Sequence, residues 1–456
     1  MGKFLKFRLF AVFLVALAIA IFGYYLRFQK FDSFPPIGDT QDEVKSAFCG
    51  ISLIYEGKPS SWSWFEDYKN FSIQRIRGDN FRIVTPWFED PPLFSLISGG
   101  YAISKGMTTF EKVNAGILRY PMLKVAALNI FLLFTLCYLI AGGTVAVLAS
   151  LIFATEPTMV LGSRMPLAEN LVVTAVLSSL ILFTLYIKKQ SRLALVGAAI
   201  IGASAFLMKS TGVFAIASLI FLALSYRRWK AAIFCGAVFL VVLAIWLLYG
   251  AYYDWSLFLK IVSVESGREL FHPSTVINLF AVFRIGETAM SSDGWLIWGW
   301  IAIVLYSFFK KDNKDLLSKL VLPVTVGSYL VFYSIMSGHS KGWYRFPFYP
   351  FLAWASAAVF LEILKKPKFL ASFFFISLAV FFSYTYGTGG DRWNLSQIKV
   401  FQIFVPLVFA SFMFYQLFED RRLKIVCQVI LILAFSAAIF FNTRTILFFQ
   451  DNFWYH

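Results

Sequence analysis

The chain has 456 residues, of which 59% are hydrophobic and only 14% are charged. Soluble domains carry roughly a quarter charged residues, so this composition argues against a water-soluble globule, a disordered chain and a nucleic-acid-binding domain. The net charge of +16 is therefore interpreted through membrane topology, because Lys and Arg concentrate in cytoplasmic loops. The sequence predicts an all-α polytopic membrane protein.

The amino-terminal segment is basic and then apolar. Lys3, Lys6 and Arg8 precede an apolar run that reaches Phe22 and continues into bulky residues, without a small-residue cleavage pattern. This pattern predicts an uncleaved membrane anchor with a cytoplasmic amino terminus.

Thirteen apolar runs approach the length of about 20 residues that crosses a hydrocarbon core of about 30 Å. They lie at 8–26, 121–141, 144–162, 166–187, 193–208, 212–226, 231–250, 294–309, 318–336, 347–363, 369–385, 399–417 and 423–441. The sequence thus predicts about 13 transmembrane helices.

The loops between these runs alternate in charge. The short loops that begin near residues 188, 227, 310, 365 and 421 each contain at least three cations, whereas most acidic residues fall in the other set of loops. By the positive-inside rule the cation-rich loops are cytoplasmic, so the carboxy terminus is expected on the extracytoplasmic side.

Two predicted extracytoplasmic loops, 29–119 and 251–293, are too long to be simple connectors. In the first, residues 93–103 form an apolar stretch that is too short to span a membrane, and we interpret it as an interfacial helix. The aromatic residues at 252–258 predict a similar helix in the second loop. We expect residues 1–456 to form a single transmembrane domain that carries these two loops.

The four cysteines have no C-x-x-C spacing, so the sequence indicates neither a disulfide nor a structural zinc site. No Walker loop, G-x-G-x-x-G, H-E-x-x-H or G-x-S-x-G sequence is present either. Their absence argues against a nucleotide-sugar pocket, a protease and a lipase.

Five polar clusters map to the predicted extracytoplasmic face. They begin at Gly38, four residues before Asp42-Glu43, and at Trp87, Gly162, Lys209 and His339. Helix capping would explain a single acidic pair, and a lipid headgroup contact would explain a single cation. Because five such clusters share one side, they favour a site where Lys and Arg bind a lipid phosphate and a carboxylate takes a proton.

In these motifs the chain resembles the membrane glycosyltransferases of the GT-C superfamily, specifically the protein O-mannosyltransferase and aminoarabinose transferase branch. The resemblance covers about residues 5–365. The matching motifs, in chain order, are Asp42-Glu43, Pro91-Pro92-Leu93, Leu118-Arg119-Tyr120-Pro121, Ser163-Arg164 with Glu169, Lys209 with Gly212, and Tyr344-Arg345-Phe346 with Pro350.

The resemblance implies an inverting glycosyltransferase that moves a hexosyl or pentosyl group from a polyprenyl phosphate to an acceptor. Asp42 would be the general base and Glu43 would support it. Lys209, Arg345 and Arg164 would bind the donor phosphate. Further candidates for the substrate site are Glu89, Asp90, Glu169, His339 and Tyr344.

One position departs from the family pattern, because relatives often have a basic residue or histidine immediately before P-P-L, where this chain has Asp90. Glu89, Asp90 and His339 are candidate ligands of a divalent cation, but a hydrogen-bonded acidic loop is the favoured interpretation. No other cofactor is implied.

The expected location is the plasma membrane of a prokaryote, with the active site on the extracytoplasmic face. The expected partners are the polyprenyl-phosphate sugar, membrane lipids and a protein, lipid or glycan acceptor, but not nucleic acid. A flippase or polymerase of lipid-linked glycans and a non-catalytic scaffold subunit are the alternatives.

Overall fold

The structure, a computed structural model, describes residues 2–36, 40, 42–76, 79–266, 280, 293–308, 316–336, 342–389 and 395–453. In the first half of the chain the α-helices are α1 Gly2–Phe28, α2 Asp42–Glu56, α3 Pro92–Ser104, α4 Ala115–Ala141, α5 Gly143–Thr155, α6 Pro157–Gly162, α7 Ala168–Lys189, α8 Arg192–Met208 and α9 Val213–Ser225. In the second half they are α10 Trp229–Tyr253, α11 Trp255–Ser266, α12 Gly294–Phe308, α13 Leu316–Met336, α14 Tyr349–Lys365, α15 Phe369–Phe374, α16 Phe381–Gly387, α17 Leu395–Phe418 and α18 Arg421–Arg444.

The predicted helical membrane architecture is confirmed. Among the described residues, eight helices are long and apolar enough to cross a membrane, and five shorter apolar helices accompany them. Each of the thirteen predicted runs coincides with one of these helices, although length and composition alone support eight spans. The number of thirteen therefore stays a prediction. Two of the runs are corrected. The helix predicted to begin at 121 begins at Ala115 and includes Pro121, and the run predicted at 144–162 is divided at Glu156 into α5 and α6.

The first long loop contains a small sheet that the sequence analysis did not predict. Strands β1 Ser61–Trp62, β2 Phe71–Ile76 and β3 Asp79–Val84 are antiparallel in the order β1-β3-β2. Trp62, Ile83 and Phe110 form a buried apolar cluster on this sheet. The sheet lies beside α2, and the Ser61 hydroxyl joins the two by donating a hydrogen bond to the backbone carbonyl of Lys45 at 2.8 Å.

Helices α2 and α3 cross with their backbones in contact at two glycines. A Cβ added to Gly50 would lie 1.8 Å from the carbonyl oxygen of Ser95, and one added to Gly99 would lie 2.4 Å from the carbonyl carbon of Gly50. Both positions thus require glycine. The crossing holds the start of α2 close to the segment that leads into α3.

Three buried arginines fix the chain that follows α1. The Arg27 guanidinium donates to the carbonyls of Ala154 and Phe153 and to the Ser163 hydroxyl, at 2.7–3.0 Å. Arg119 and Arg164 donate to carbonyls between residues 26 and 35. These contacts provide hydrogen-bond donors for carbonyl groups that are not paired within a helix. They therefore determine where the segment before α2 lies.

Helix α11 packs onto the first long loop. Phe258 makes edge-to-face ring contacts with Phe88 at 5.4 Å and with Trp246 at 4.9 Å. Lys260 also forms an ion pair with Asp67 at 2.8 Å. The two predicted loops therefore contact one another next to the Glu89-Asp90 segment.

The most deeply buried acidic pair caps two helices. Glu156 accepts hydrogen bonds from the backbone N–H groups of Thr158 and Met159 at the start of α6. Asp293 accepts hydrogen bonds from the backbone N–H groups of Trp295 and Leu296 at the start of α12 and also from the Thr158 hydroxyl.

The four cysteines are free and buried, in agreement with the prediction of no disulfide.

Candidate functional site

Asp42 is the first residue of α2, where the helix dipole favours a negative charge. Its backbone N–H donates to the Thr40 hydroxyl at 3.3 Å, and its side chain is partly buried. Among the described residues, the Asp42 carboxylate accepts no hydrogen bond and forms no ion pair. It is therefore available to a ligand.

Asp90 lies immediately before Pro91 and the start of α3, and it is also partly buried. Within the described part of the chain its carboxylate likewise has no hydrogen-bond or ion-pair partner. Burial raises the pKa of Asp90 from its usual 3.8 to about 7, although Lys209 and Lys45 act in the opposite direction. Asp42 and Glu265 also interact with it electrostatically, so these groups lie around one point.

Lys45 lies one turn after Asp42 on α2, and the sequence analysis did not identify it. Its ammonium group forms an ion pair with Glu89 and lies 5.1 Å from the ring centroid of Trp62 and 5.4 Å from that of Trp87. Burial alone would lower the pKa of Lys45, but the charges of Glu89, Asp42 and Asp90 outweigh burial and raise it. Lys45 is therefore a fixed cation among three carboxylates.

Lys209 supplies the second cation of the cluster. It lies between α8 and the 3-10 turn Ser210–Gly212, with its ammonium 2.7 Å from Glu169 and 4.7 Å from the ring centroid of Tyr344. Gly212 permits this turn, because a Cβ there would lie 2.1 Å from the carbonyl oxygen of Ala205. Lys209 also interacts electrostatically with Asp90 and Asp42.

The structure thus brings together residues from five separate parts of the sequence. These are Asp42 and Lys45, Glu89 and Asp90, Glu169, Lys209, and Tyr344. We call these seven residues the carboxylate–lysine cluster. Four carboxylates and two ammonium groups share a partly buried space, and the two carboxylates without partners face both cations. Such a site can accept a proton at one carboxylate and bind an anion at a lysine.

Glu43 is outside this cluster. It is 1% exposed, and Arg119 donates to both of its carboxylate oxygens, at 2.8 and 2.7 Å. Arg119 also donates to the carbonyl of Pro35 at 2.6 Å. This bidentate ion pair anchors α2 to α4. The supporting role in catalysis expected of Glu43 stays a prediction.

Arg164, a predicted phosphate ligand, makes several hydrogen bonds within the chain. Its side chain is fully buried, and it donates to the carbonyls of Phe34 and Leu26 and to the side chain of Gln450, at 2.8–3.1 Å. Within the described part of the chain its Nε has no hydrogen-bond partner. These contacts hold the Arg164 side chain in place, and its role as a phosphate ligand stays a prediction.

Arg345 follows Tyr344 in the 3-10 helix Gly342–Phe348 and is 3% exposed. It interacts electrostatically with Tyr349, which in turn interacts with Glu156 and Asp293. Its neighbour Phe346 packs on Gly162, where an added Cβ would lie 2.7 Å from the ring. These contacts hold the Tyr344 segment against the turn that contains Ser163.

Two of the three candidate metal ligands, Glu89 and Asp90, lie in the described part of the chain. Among the described residues, no group of three His, Cys, Asp or Glu side chains is placed to hold a metal ion. Glu89 forms an ion pair with Lys45, and His339 lies outside the described residues. The candidate metal site therefore stays a prediction.

Residues 91–249, roughly a third of the chain, match the family model described as dolichyl-phosphate-mannose-protein mannosyltransferase. The matched segment includes Arg119, Arg164, Glu169 and Lys209, whereas Asp42 and Tyr344 lie outside it. No curated protein sequence matches the chain.

The fold is similar to that of ArnT from Cupriavidus metallidurans bound to undecaprenyl phosphate, with a TM-score of 0.56 and 12% identity over 96% of this chain and 77% of that one. It is also similar to the arabinosyltransferase EmbB from Mycobacterium smegmatis, with a TM-score of 0.56 and 13% identity over 97% of this chain and 41% of that one. Together with the family match, these similarities confirm the predicted resemblance to GT-C membrane glycosyltransferases.

Proposed function

We propose that this protein is a glycosyltransferase that moves a sugar from a polyprenyl-phosphate donor to an acceptor on the extracytoplasmic face of the membrane. One observation carries the proposal. An unpartnered carboxylate, Asp42, lies in the same cluster as Lys209, so a proton acceptor and an anion-binding group face one space. The similarity to ArnT, whose structure holds undecaprenyl phosphate, supports the choice of a lipid phosphate.

In the proposed reaction Asp42 removes the proton from an acceptor hydroxyl or similar nucleophile. The nucleophile then forms a bond to the anomeric carbon of the donor sugar. The bond between that carbon and the phosphate oxygen breaks, and the oxygen keeps the electron pair. Because the nucleophile attacks opposite the leaving phosphate, one such displacement inverts the anomeric carbon.

The leaving group is a polyprenyl phosphate, on which negative charge increases as the bond breaks. Lys209 is the candidate ligand for that charge, and Arg345 is a second candidate. An ammonium held by Glu169 and the Tyr344 ring is already in position before the charge develops, which is how preorganised groups lower a barrier. Arg164 is the third candidate: its two terminal nitrogens donate within the chain, whereas its Nε has no hydrogen-bond partner among the described residues.

The experiment is transfer of radiolabelled sugar from polyprenyl-phosphate donors by the full-length protein in membranes. The proposal predicts transfer by the wild type. In Lys209→Met it predicts a lower kcat, because the developing charge is no longer stabilised, and a higher KM for the donor, because a phosphate contact is lost. Lys230→Met removes an exposed lysine and serves as the matched control. Movement of lipid-linked glycan across vesicles without transfer would contradict the proposal and favour a flippase.

A further inference from the structure

We infer that Lys45 is a positioning residue for Asp42: its ammonium group holds Glu89 away from Asp42 and places a fixed positive charge beside the carboxylate that takes the proton. This inference rests on the proposed function, because it assigns Asp42 the role of base. It concerns a residue that no motif of the sequence analysis includes.

The position of Lys45 follows from helix geometry. Asp42 and Lys45 are three residues apart on α2, so their side chains lie on the same face about one turn apart. The Lys45 side chain is 11% exposed, which means that its ammonium is enclosed and not a solvated surface charge. It therefore interacts more strongly with neighbouring carboxylates than an exposed lysine would.

Two aromatic rings and one carboxylate fix the ammonium in place. The rings of Trp62 and Trp87 are almost completely buried and lie within cation–π distance of the nitrogen. Glu89 completes the enclosure through its ion pair. Trp62 lies on β1 and Trp87 follows β3, so the small sheet provides the walls of the enclosure.

The charge balance explains why the cluster needs this lysine. Lys209 is paired with Glu169, so Lys45 is the cation that balances Glu89 and also interacts with Asp42 and Asp90. Without it, Glu89 would be a buried carboxylate without its cation, next to two further carboxylates. Repulsion among them would displace Asp42, and a displacement of about 1 Å can lower a rate by about 100-fold.

The test compares Lys45→Met with Lys45→Arg and with Lys105→Met in the full-length protein. Lys105 is a matched control, since it is an exposed lysine of the same loop that also lies over an aromatic ring, Tyr101. We expect Lys45→Met to lower kcat about 10- to 100-fold while KM for the donor changes by less than about threefold, because the loss is in positioning and not in donor binding. Lys45→Arg keeps the charge and is expected to recover most of the rate.

A double variant, Lys45→Met with Glu89→Gln, guards against misfolding, because it removes both charges and leaves neither one buried alone. Its kcat is expected to recover part of the loss, because Glu89 no longer repels Asp42, but to stay at least about tenfold below wild type, because the cation that attracts the Asp42 carboxylate is absent. Wild-type kcat in either Met variant would overturn the inference. A loss expressed only as a rise in donor KM would also overturn it, because Lys45 would then be a donor-binding residue.

Asp42→Asn, measured in the same series, distinguishes a failure of the proposed function from a failure of the role assigned to Lys45. An active Asp42→Asn variant would remove the proposed function itself. An inactive Asp42→Asn variant together with a fully active Lys45→Met variant would remove only the role of Lys45.

Discussion

Asp42 and Glu43 are adjacent in the sequence but face different surroundings. Consecutive residues of an α-helix point about 100° apart, so one carboxylate faces Arg119 in the interior while the other faces the carboxylate–lysine cluster. The sequence identifies the acidic pair, but it does not reveal that Arg119, 76 positions away, binds only the second residue.

The ion pair between Glu43 and Arg119 makes a stability prediction. Glu43→Gln should lower the free energy of unfolding by about 3–5 kcal/mol, because it leaves a buried guanidinium without its counter-charge. Thermal denaturation of the purified protein in detergent would measure this loss. An unchanged melting temperature would show that the pair does not anchor α2.

Asp90 makes a prediction about pH. Because its pKa is raised to about 7 in the folded protein, the folded state retains a proton between about pH 4 and pH 7 that the unfolded chain has released. This contribution to stability is lost as the pH rises through about 7. Asp90→Asn carries no such charge, so its melting temperature relative to wild type should rise between pH 5 and pH 8.5. The same difference at both values would contradict the raised pKa.

At the scale of single elements, the contact of α2 with α3 is the feature that sets the geometry of the site. Gly50 and Gly99 allow the two backbones to touch, and this contact places Asp42 near Asp90. The apolar stretch 93–103 predicted the helix correctly, but a sequence pattern of single glycines does not reveal which helix each one contacts.

Replacing one of these glycines should therefore disrupt both stability and transfer. A Cβ at Gly99 would overlap backbone atoms of Gly50, which cannot move aside as a flexible side chain can, so Gly99→Ala should destabilise the protein by about 1–3 kcal/mol or more. The neighbouring Gly100 has room for a Cβ, with its nearest contact at 4.0 Å. Gly100→Ala is therefore the control, and equal melting temperatures for the two variants would contradict the proposed packing.

The small sheet shows why some elements are not evident in the sequence. Strand β2 is six residues long, and β1 is only two. Both strands are too short to show a clear alternation of apolar and polar residues. Their stability comes from pairing with β3 and from packing against Phe110, which are contacts between distant residues. Long apolar helices, by contrast, are predicted well, because each one satisfies its own backbone hydrogen bonds.

At the scale of the whole molecule, the charge alternation predicts which loops share a side. Lys105→Cys should react with a membrane-impermeant maleimide in intact cells, whereas Lys189→Cys and Lys366→Cys should react only after permeabilisation. The four native cysteines are buried, so their background labelling should be low. Labelling of all three positions in intact cells would contradict the predicted topology.

The candidate site was predicted in part, and the missing part has a physical cause. Asp42, Lys209 and Tyr344 were identified through motifs, and they lie in the cluster. Lys45 was not identified, because a lysine in a polar loop has no distinctive pattern until Trp62, Trp87 and Glu89 enclose it. The contacts of Arg164 were not evident either, since its three acceptors come from residues 26, 34 and 450.

If Asp42 is the base of the sugar transfer, replacing it should lower the transfer rate without weakening donor binding. The measurement is the initial rate of transfer by Asp42→Asn at saturating donor, compared with that of wild type, with binding of polyprenyl phosphate as the control for folding. The substitution keeps the size of the side chain and removes its basicity, so the account predicts intact binding and a rate lower by about 100- to 10,000-fold. A well-folded Asp42→Asn variant that transfers sugar at the wild-type rate would contradict it.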